Sequence, residues 1–194
     1  DKELPDSDLK EYTKIIVSEV ERLSLLVDRM LGPNKLTGFK PTNIYKVFER
    51  VIQIVEAENP NHILWGRDYD PSLPDLEAEE DQLIQAILNI IQNACDATQN
   101  VATPKITIRI RSARQFTIGA QRHKIVLKLE IIDNGVGIAP EMIERIFFPM
   151  ITDKPTGSGL GLSITQTVLT QHQGSVQVES KPGSTKFLIH LPFT

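Results

Sequence analysis

Three short stretches carry residue types whose spacing could do chemistry: Asn89 to Ala97, Asp133-Asn134-Gly135-Val136-Gly137, and Gly157-Ser158-Gly159-Leu160-Gly161. On a helix, Asn89 and Asn93 stand one turn apart and share an arc with Asp96. An asparagine carbonyl oxygen is a hard, neutral ligand that suits magnesium, which keeps most of its waters and takes phosphate oxygens. The same arc also suits a plain solvated helix face. Asp133 ends an apolar strand, where a carboxylate can accept a hydrogen bond from an exocyclic amine. Gly135 and Gly137 then permit unusual dihedrals and close approach of a planar base, although Asp-Asn-Gly is also a turn signal that needs no ligand. Glycines at a helix start expose consecutive N–H groups where the helix favours an anion. The third stretch lacks the Gly-Lys-Ser/Thr of a P-loop and the Gly-x-Gly-x-x-Gly of a dinucleotide turn. In this order, the three stretches describe a nucleotide pocket closed by a movable lid.

The elements that must position these residues follow from periodicity. Leu9, Thr13, Ile16, Val20, Leu23, Val27 and Met30 recur at steps of four and three, predicting a long helix over residues 6–31 that pairs in a bundle. Gly32-Pro33-Asn34 stops it. Thr42 is placed to cap a helix from about Asn43 to Glu58. A strand is expected over His62 to Asp68, with Pro71 and Pro74 marking the turns after it. The helix carrying Asn89 and Asn93 spans about Glu79 to Thr98, with Ile84, Ile87, Leu88, Ile91 and Cys95 facing the core. Strands follow over Lys105–Ala113 and Lys124–Asp133, then a short helix near Pro140. A further helix runs from Gly159 to about Gln171, and strands over Ser175–Ser180 and Thr185–Leu191 meet through Pro182-Gly183. Strands meeting mostly as hairpins, with helices grouped between them, predict an α+β fold, a two-layer α/β sandwich with a mixed, largely antiparallel sheet.

Composition bounds the rest. A chain of 194 residues fits one medium domain plus an appendage. A formal charge of −4 argues against generic nucleic-acid binding. The single cysteine, Cys95, excludes an internal disulfide and suits a reducing cytosol, so a cytoplasmic location is expected. No apolar run approaches membrane-spanning length. The opening Asp1-Lys2-Glu3 suggests a piece of something longer.

Four ordered motifs carry a family resemblance over roughly residues 40–194. Asn89 to Ala97 resembles the N box of sensor histidine kinases, Asp133 to Gly137 the G1 box, Phe147-Phe148-Pro149 the F box and Gly157 to Gly161 the G2 box. That family has the Bergerat-type ATP-binding fold it shares with gyrase, Hsp90 and MutL. Arg67 to Pro74 and Leu26 to Pro33 are similar to nitrogen-regulation kinases of the NtrB type.

The resemblance implies ATP and Mg2+ as cofactors. Asn93 would hold magnesium, Asp133 would read the adenine amine, and Gly135 and Gly137 would shape the base pocket. Gly157, Ser158, Gly159, Leu160 and Gly161 would hinge the lid and meet the phosphates, and Lys154 would reach the triphosphate. Thr185 would support adenine binding, directly or through water. Asp96 stands where many members carry a basic residue beside the phosphates. ATPase relatives carry a glutamate one turn before the magnesium asparagine; here that position is Asn89, which cannot act as a general base at neutral pH. Asn89 and Asn93 are therefore the expected catalytic pair of a kinase, whose task is positioning the γ-phosphate and neutralising its charge.

The phosphorylated histidine of the family lies on the first helix of a dimeric hairpin. His62, His123, His172 and His190 all lie off the heptad helix. Residues 1–36 thus resemble the second hairpin helix and 37–194 the catalytic ATP-binding domain, with the acceptor histidine expected outside this sequence. The fragment is then not expected to autophosphorylate alone. The implied partners are a response regulator of NtrC type, a PII-type signal protein and a second copy in a homodimer. The alternative expectation is a nucleotide-responsive binding module without kinase activity.

Overall fold

Apolar spacing builds a helix layer over a sheet. The chain divides into two units, Asp1–Leu36 and Thr37–Thr194. The computed structural model describes residues 38–58, 63–152 and 158–193, so the heptad helix lies outside the described residues. Within the second unit, α1 (Ile44–Glu58) buries Ile44, Val47, Phe48, Val51, Ile52 and Val55 along one stripe. The next helix, α2 (Glu80–Thr98), buries Leu83, Ile84, Ala86, Ile87, Ile90, Ile91, Ala94 and Cys95. That arc is broader than the spacing of Ile84, Ile87 and Ile91 indicates, because α2 packs on three sides. It touches α1, the helix α4 (Gly161–Gln171), and the strands beneath. A short helix α3 (Pro140–Ile143) begins on proline, whose missing N–H is no loss there.

The sheet runs β2 (Leu64–Tyr69), β4 (Lys105–Ile118), β5 (Gln121–Asp133), β7 (Ser184–Pro192) and β6 (Ser175–Lys181) in spatial order. Only β2 and β4 pair in parallel; every other neighbour is antiparallel. Ile106, Ile108 and Ile110 of β4, Leu129 and Ile131 of β5, and Phe187 and Ile189 of β7 are buried. Period-two alternation puts them on one face, under the helices. This is the mixed, largely antiparallel two-layer sandwich that the sequence predicts.

Two local details differ from expectation. Asn43, not Thr42, caps α1: its side-chain oxygen accepts from the Lys46 N–H at 3.2 Å. Thr42 instead ends a strand β1 (Lys40–Thr42) that pairs antiparallel with β3 (Leu76–Ala78), and its hydroxyl donates to the Ala78 carbonyl at 3.2 Å. Such a pair of three-residue strands has too little periodicity to announce itself. The second detail is length: β4 continues past Ala113 to Ile118 and β5 starts at Gln121 rather than Lys124, on either side of a turn at Gly119, where φ is +58°.

The Arg67 to Pro74 stretch proves to be an anchor. Arg67 forks onto the Glu49 carboxylate of α1 at 2.9 and 3.1 Å, and the Tyr69 hydroxyl donates to the same group at 3.0 Å. Asp68 accepts from Arg109 at 2.8 Å and from Arg111. These bonds tie the edge strand to α1 on one side and to β4 on the other. Exposed ion pairs contribute little to stability, so the gain is mainly in register.

Candidate functional site

The residues at the C-terminal end of β5 build one wall. Asp133 is 4% exposed, opposite Ile106 on one side and Thr185 on the other. Cross-strand partners share a face, so Asp133 and Thr185 both lie on the helix-covered side of the sheet. The Asp133 carboxylate accepts the Gly135 N–H at 2.8 Å. Burial outweighs that bond and pushes its pKa up to about 6. A buried carboxylate so placed lacks donors, and an amine of a planar ligand would supply one.

The glycines after Asp133 are required for a reason the sequence did not show. A Cβ on Gly135 would sit 2.6 Å from the Ala97 carbonyl oxygen, and one on Gly137 2.8 Å from the Lys181 backbone. Val136 N–H donates to Ala97 at 3.1 Å, and Gly183 N–H donates to Gly135 at 2.9 Å. The loop is thus pressed between the last turn of α2 and the β6–β7 turn. Gly137, at φ +86°, needs glycine's freedom as well as the space. The glycines shape the pocket by letting its wall fold onto the protein.

The second wall is the start of α4. Its N-cap position is Leu160, which makes no side-chain capping bond, and the first turn carries no acidic residue. Ser158 Oγ accepts weakly from the Leu160 N–H at 3.4 Å. The Leu160 side chain itself is buried, so any ligand contact there belongs to its backbone. Gly159 takes φ +66°, and a Cβ there would meet the Met150 backbone at 2.6 Å. Met150 N–H in turn donates to the Gly159 carbonyl at 3.0 Å. That bond pins both feet of the connecting loop, which makes Gly159 the point where the loop turns into the helix. Lys154 and Gly157 lie outside the described residues.

Helix α2 joins the two walls. Asn89 donates its amide to the Gly161 carbonyl at 3.0 Å, so the expected catalytic position is used to hold the start of α4. Thr165 strengthens this contact by reaching the Ala86 carbonyl at 3.2 Å. Asn93, half-buried one turn further on, shares the Asn89 face and so points along the same side of α2. Asp96 is exposed near the end of α2. Among the described residues no cluster of three or more His, Cys, Asp or Glu could hold a metal ion. A cation held by Asn93 would therefore rely on phosphate oxygens and water, the donor set magnesium prefers.

Two further polar residues hold the elements that carry the site. His172 is buried at the end of α4, where Glu79 N–H donates to its Nε2 at 3.0 Å. That fixes Nδ1 as the protonated nitrogen, which donates to the Val168 carbonyl at 2.8 Å. Burial holds its pKa below the usual histidine value. Ser180 is the other: its hydroxyl accepts from the Ile138 N–H at 2.9 Å and lies 2.8 Å from the Thr185 hydroxyl. The hairpin arithmetic across Pro182-Gly183 already sets Ser180 opposite Thr185, so this pairing was readable.

A family model described as "Histidine kinase-, DNA gyrase B-, and HSP90-like ATPase" matches residues 78–194. The chain is 46% identical over 192 residues to the "Sensory histidine kinase/phosphatase NtrB" of Vibrio alginolyticus, covering 99% of this chain and 55% of that protein. It is similar to the catalytic domain of histidine kinase ThkA, with TM-score 0.67 and 25% identity, covering 80% of this chain and 96% of that one. ThkA solved in complex with the response regulator protein TrrA gives TM-score 0.68 at 25% identity, covering 100% of this chain and 53% of that one. The chain spans about half the length of the curated relatives it matches. By the family model that matches more than half of it, the chain belongs to the histidine kinase-, DNA gyrase B- and HSP90-like ATPase family, and its sequence is similar to the NtrB proteins.

Proposed function

We propose that residues 37–194 are the Mg-ATP-binding catalytic domain of an NtrB-type sensor histidine kinase in nitrogen regulation. Residues 1–36 are then the second helix of its dimerisation hairpin. The observation that carries the reading is the joining of the two walls by α2. Asn89 clamps Gly161, so a base beside Asp133 and phosphates at the start of α4 belong to one ligand. Asp133 receives the adenine amine, and the N–H groups of the first turn of α4 receive phosphate oxygens. Bound magnesium, held through Asn93, supplies charge neutralisation on the phosphates.

Kinase rather than ATPase follows from the chemistry of Asn89. Its amide donates to a carbonyl and it has no basic group to activate water. The γ-phosphate is thus positioned for a histidine presented from outside this sequence, and passes on to an NtrC-type response regulator. A PII-type signal protein, a homodimeric full-length state and a cytoplasmic location complete the proposal. They are supported by the similarity to NtrB.

The test mixes the protein with a separate histidine-bearing hairpin and labelled ATP. Acid-labile phosphate should appear on the hairpin with magnesium, and Asn93→Ala should abolish it while the fold persists. Undiminished transfer by Asn93→Ala would remove the magnesium role. Bound ATP without transfer would remove the kinase reading.

A further inference from the structure

The tip of the β4–β5 hairpin is bent onto the sheet at a strained residue. The ladder between the two strands pairs every position from Ile106 to Ile118 except Gln115, whose place opposite Lys124 is skipped. Gln115 takes φ +52°, a left-handed conformation that a non-glycine residue in a strand holds only when its surroundings impose it. Ile106, Ile108 and Ile110 face the helices, and strict alternation would send Phe116 to the same side. It goes to the other. Its ring stacks on His190 with centroids 3.9 Å apart and planes at 20°. His190 lies in register with Lys128, and Lys128 with Arg111, on the face away from the helices. His123 is the cross-strand partner of Phe116 and shares its side.

The imidazole under Phe116 is buried and short of a partner. His190 is 3% exposed, and its Nδ1 has no hydrogen-bond partner among the described residues. The same holds for the buried Nε2 of His123. A neutral imidazole can leave one nitrogen bare. Protonation turns that nitrogen into an N–H donor without an acceptor and adds a buried positive charge. The groups facing His190 offset little of this. Lys128 on β5 and Arg111 beyond it on β4 are cations, and β6 offers the uncharged Ser175. Glu130 is already taken by Lys128 and Arg109, at 2.8 Å each. The hairpin tip brings a second imidazole, His123. Burial first, then Lys128, hold the His190 pKa below the usual histidine value, against an opposing pull from Glu130.

We infer that Phe116 and His190 form a proton-sensitive clasp with Gln115 as its hinge: neutral His190 holds the hairpin tip on the sheet, and protonated His190 releases it. The closed state binds the proton more weakly than the open one. Closure is therefore favoured at high pH and is lost as pH falls below the ordinary histidine range. Release lets Gln115 return to a regular strand conformation, so the tip has two discrete positions. It also bares His190, which stands between Leu188 and Pro192 on one face of β7. The clasp is independent of the nucleotide reading.

The test follows the whole chain by NMR from about pH 8 to about pH 5. The ring-to-ring nuclear Overhauser effect between Phe116 and His190 should be lost toward low pH. The amides of Thr117 and Arg122 should become mobile with it, while those of Ile108, Leu129 and Ile189 stay protected. His190→Phe keeps a flat ring without a titrating nitrogen and should hold the tip at both ends of the range. Phe116→Ala should free the tip at both ends and bring the His190 titration back toward its ordinary value. His123→Gln should leave the transition in place. A ring contact kept or tightened at low pH would mean that attraction between the imidazole and the Phe116 face wins, and would overturn the release. So would a transition that survives in His190→Phe or disappears in His123→Gln.

Discussion

Two helices carry this site, and their N-terminal ends are finished in opposite ways. Helix α2 is sealed: Glu79 is 3% exposed, its carboxylate accepts from the Gln82 N–H at 2.9 Å, and Glu80 and Asp81 fill the first turn. Helix α4 is open, with no capping side chain and no acid in its first turn. Every helix start leaves four N–H groups to satisfy, and a carboxylate there is the ordinary solution. The fold applies it to α2 and withholds it from α4, where glycines keep the approach clear. The sealed start of α2 is also tied to the far end of α4, where His172 accepts from Glu79 N–H. The ligand's negative charge belongs at the open end.

The buried carboxylates repeat the contrast. Glu79 accepts from an N–H of its own helix and caps it. Asp133 faces one N–H and has a pKa raised to about 6. One completes the fold and the other is kept short of donors for a ligand.

The sharpest way to break the comparison is to seal the open end. Gly161→Asp puts a carboxylate in the first turn of α4, at a position where a Cβ meets Asn89 in ordinary contact at 3.5 Å. It should stabilise the ligand-free helix by a few tenths of a kcal/mol, by about the value of one favourable dipole contact. It should also weaken the ATP analogue by about a hundredfold, since like charges face each other at short range. Thermal unfolding and calorimetry on one preparation read both signs. Equal affinity with the added carboxylate would mean that phosphates do not bind at α4.

A smaller effect sharpens the second half of the comparison. Because the Asp133 pKa rises from 3.8 to about 6 on folding, the fold binds that proton more tightly than the unfolded chain does. Stability from this group is therefore full at low pH and is lost as pH rises through about 6. Asp133→Asn should stabilise the ligand-free fold by up to about 3 kcal/mol at about pH 8. The gain should vanish below about pH 4. Urea unfolding at the two pH values measures it. The same variant should bind the ATP analogue more weakly, and a gain in stability that is independent of pH would show that the carboxylate is not strained by burial.

The two layers and the mixed, largely antiparallel character of the sheet were legible because they rest on periodicity and hairpin spacing. The stripes of α1 and α2 and the alternation of β4, β5 and β7 are local properties of the sequence. The cap at Asn43 and the β1–β3 pair were not, since Thr42 and Asn43 are both good caps and the choice is made by Ala78, thirty-six residues away. The site shows the same division. Asp133, Thr185 and the glycine-bearing turns stand out by type and spacing, whereas the contacts that give them their roles are long-range. Gly135 answers to Ala97, Asn89 to Gly161, and Glu79 to His172. No window on the sequence contains both partners of such a contact, so residue type suggested the chemistry and only the fold assigned the work.

The most direct test of the open and sealed ends follows backbone amide signals while a non-hydrolysable ATP analogue is added with magnesium. Large shifts are expected at Gly161, Leu162 and Ser163 at the start of α4 and at Gly135 beside Asp133, with Asp81 and Gln82 at the start of α2 unmoved. Shifts centred on the start of α2, or none at the start of α4, would rule out phosphate binding at the open end.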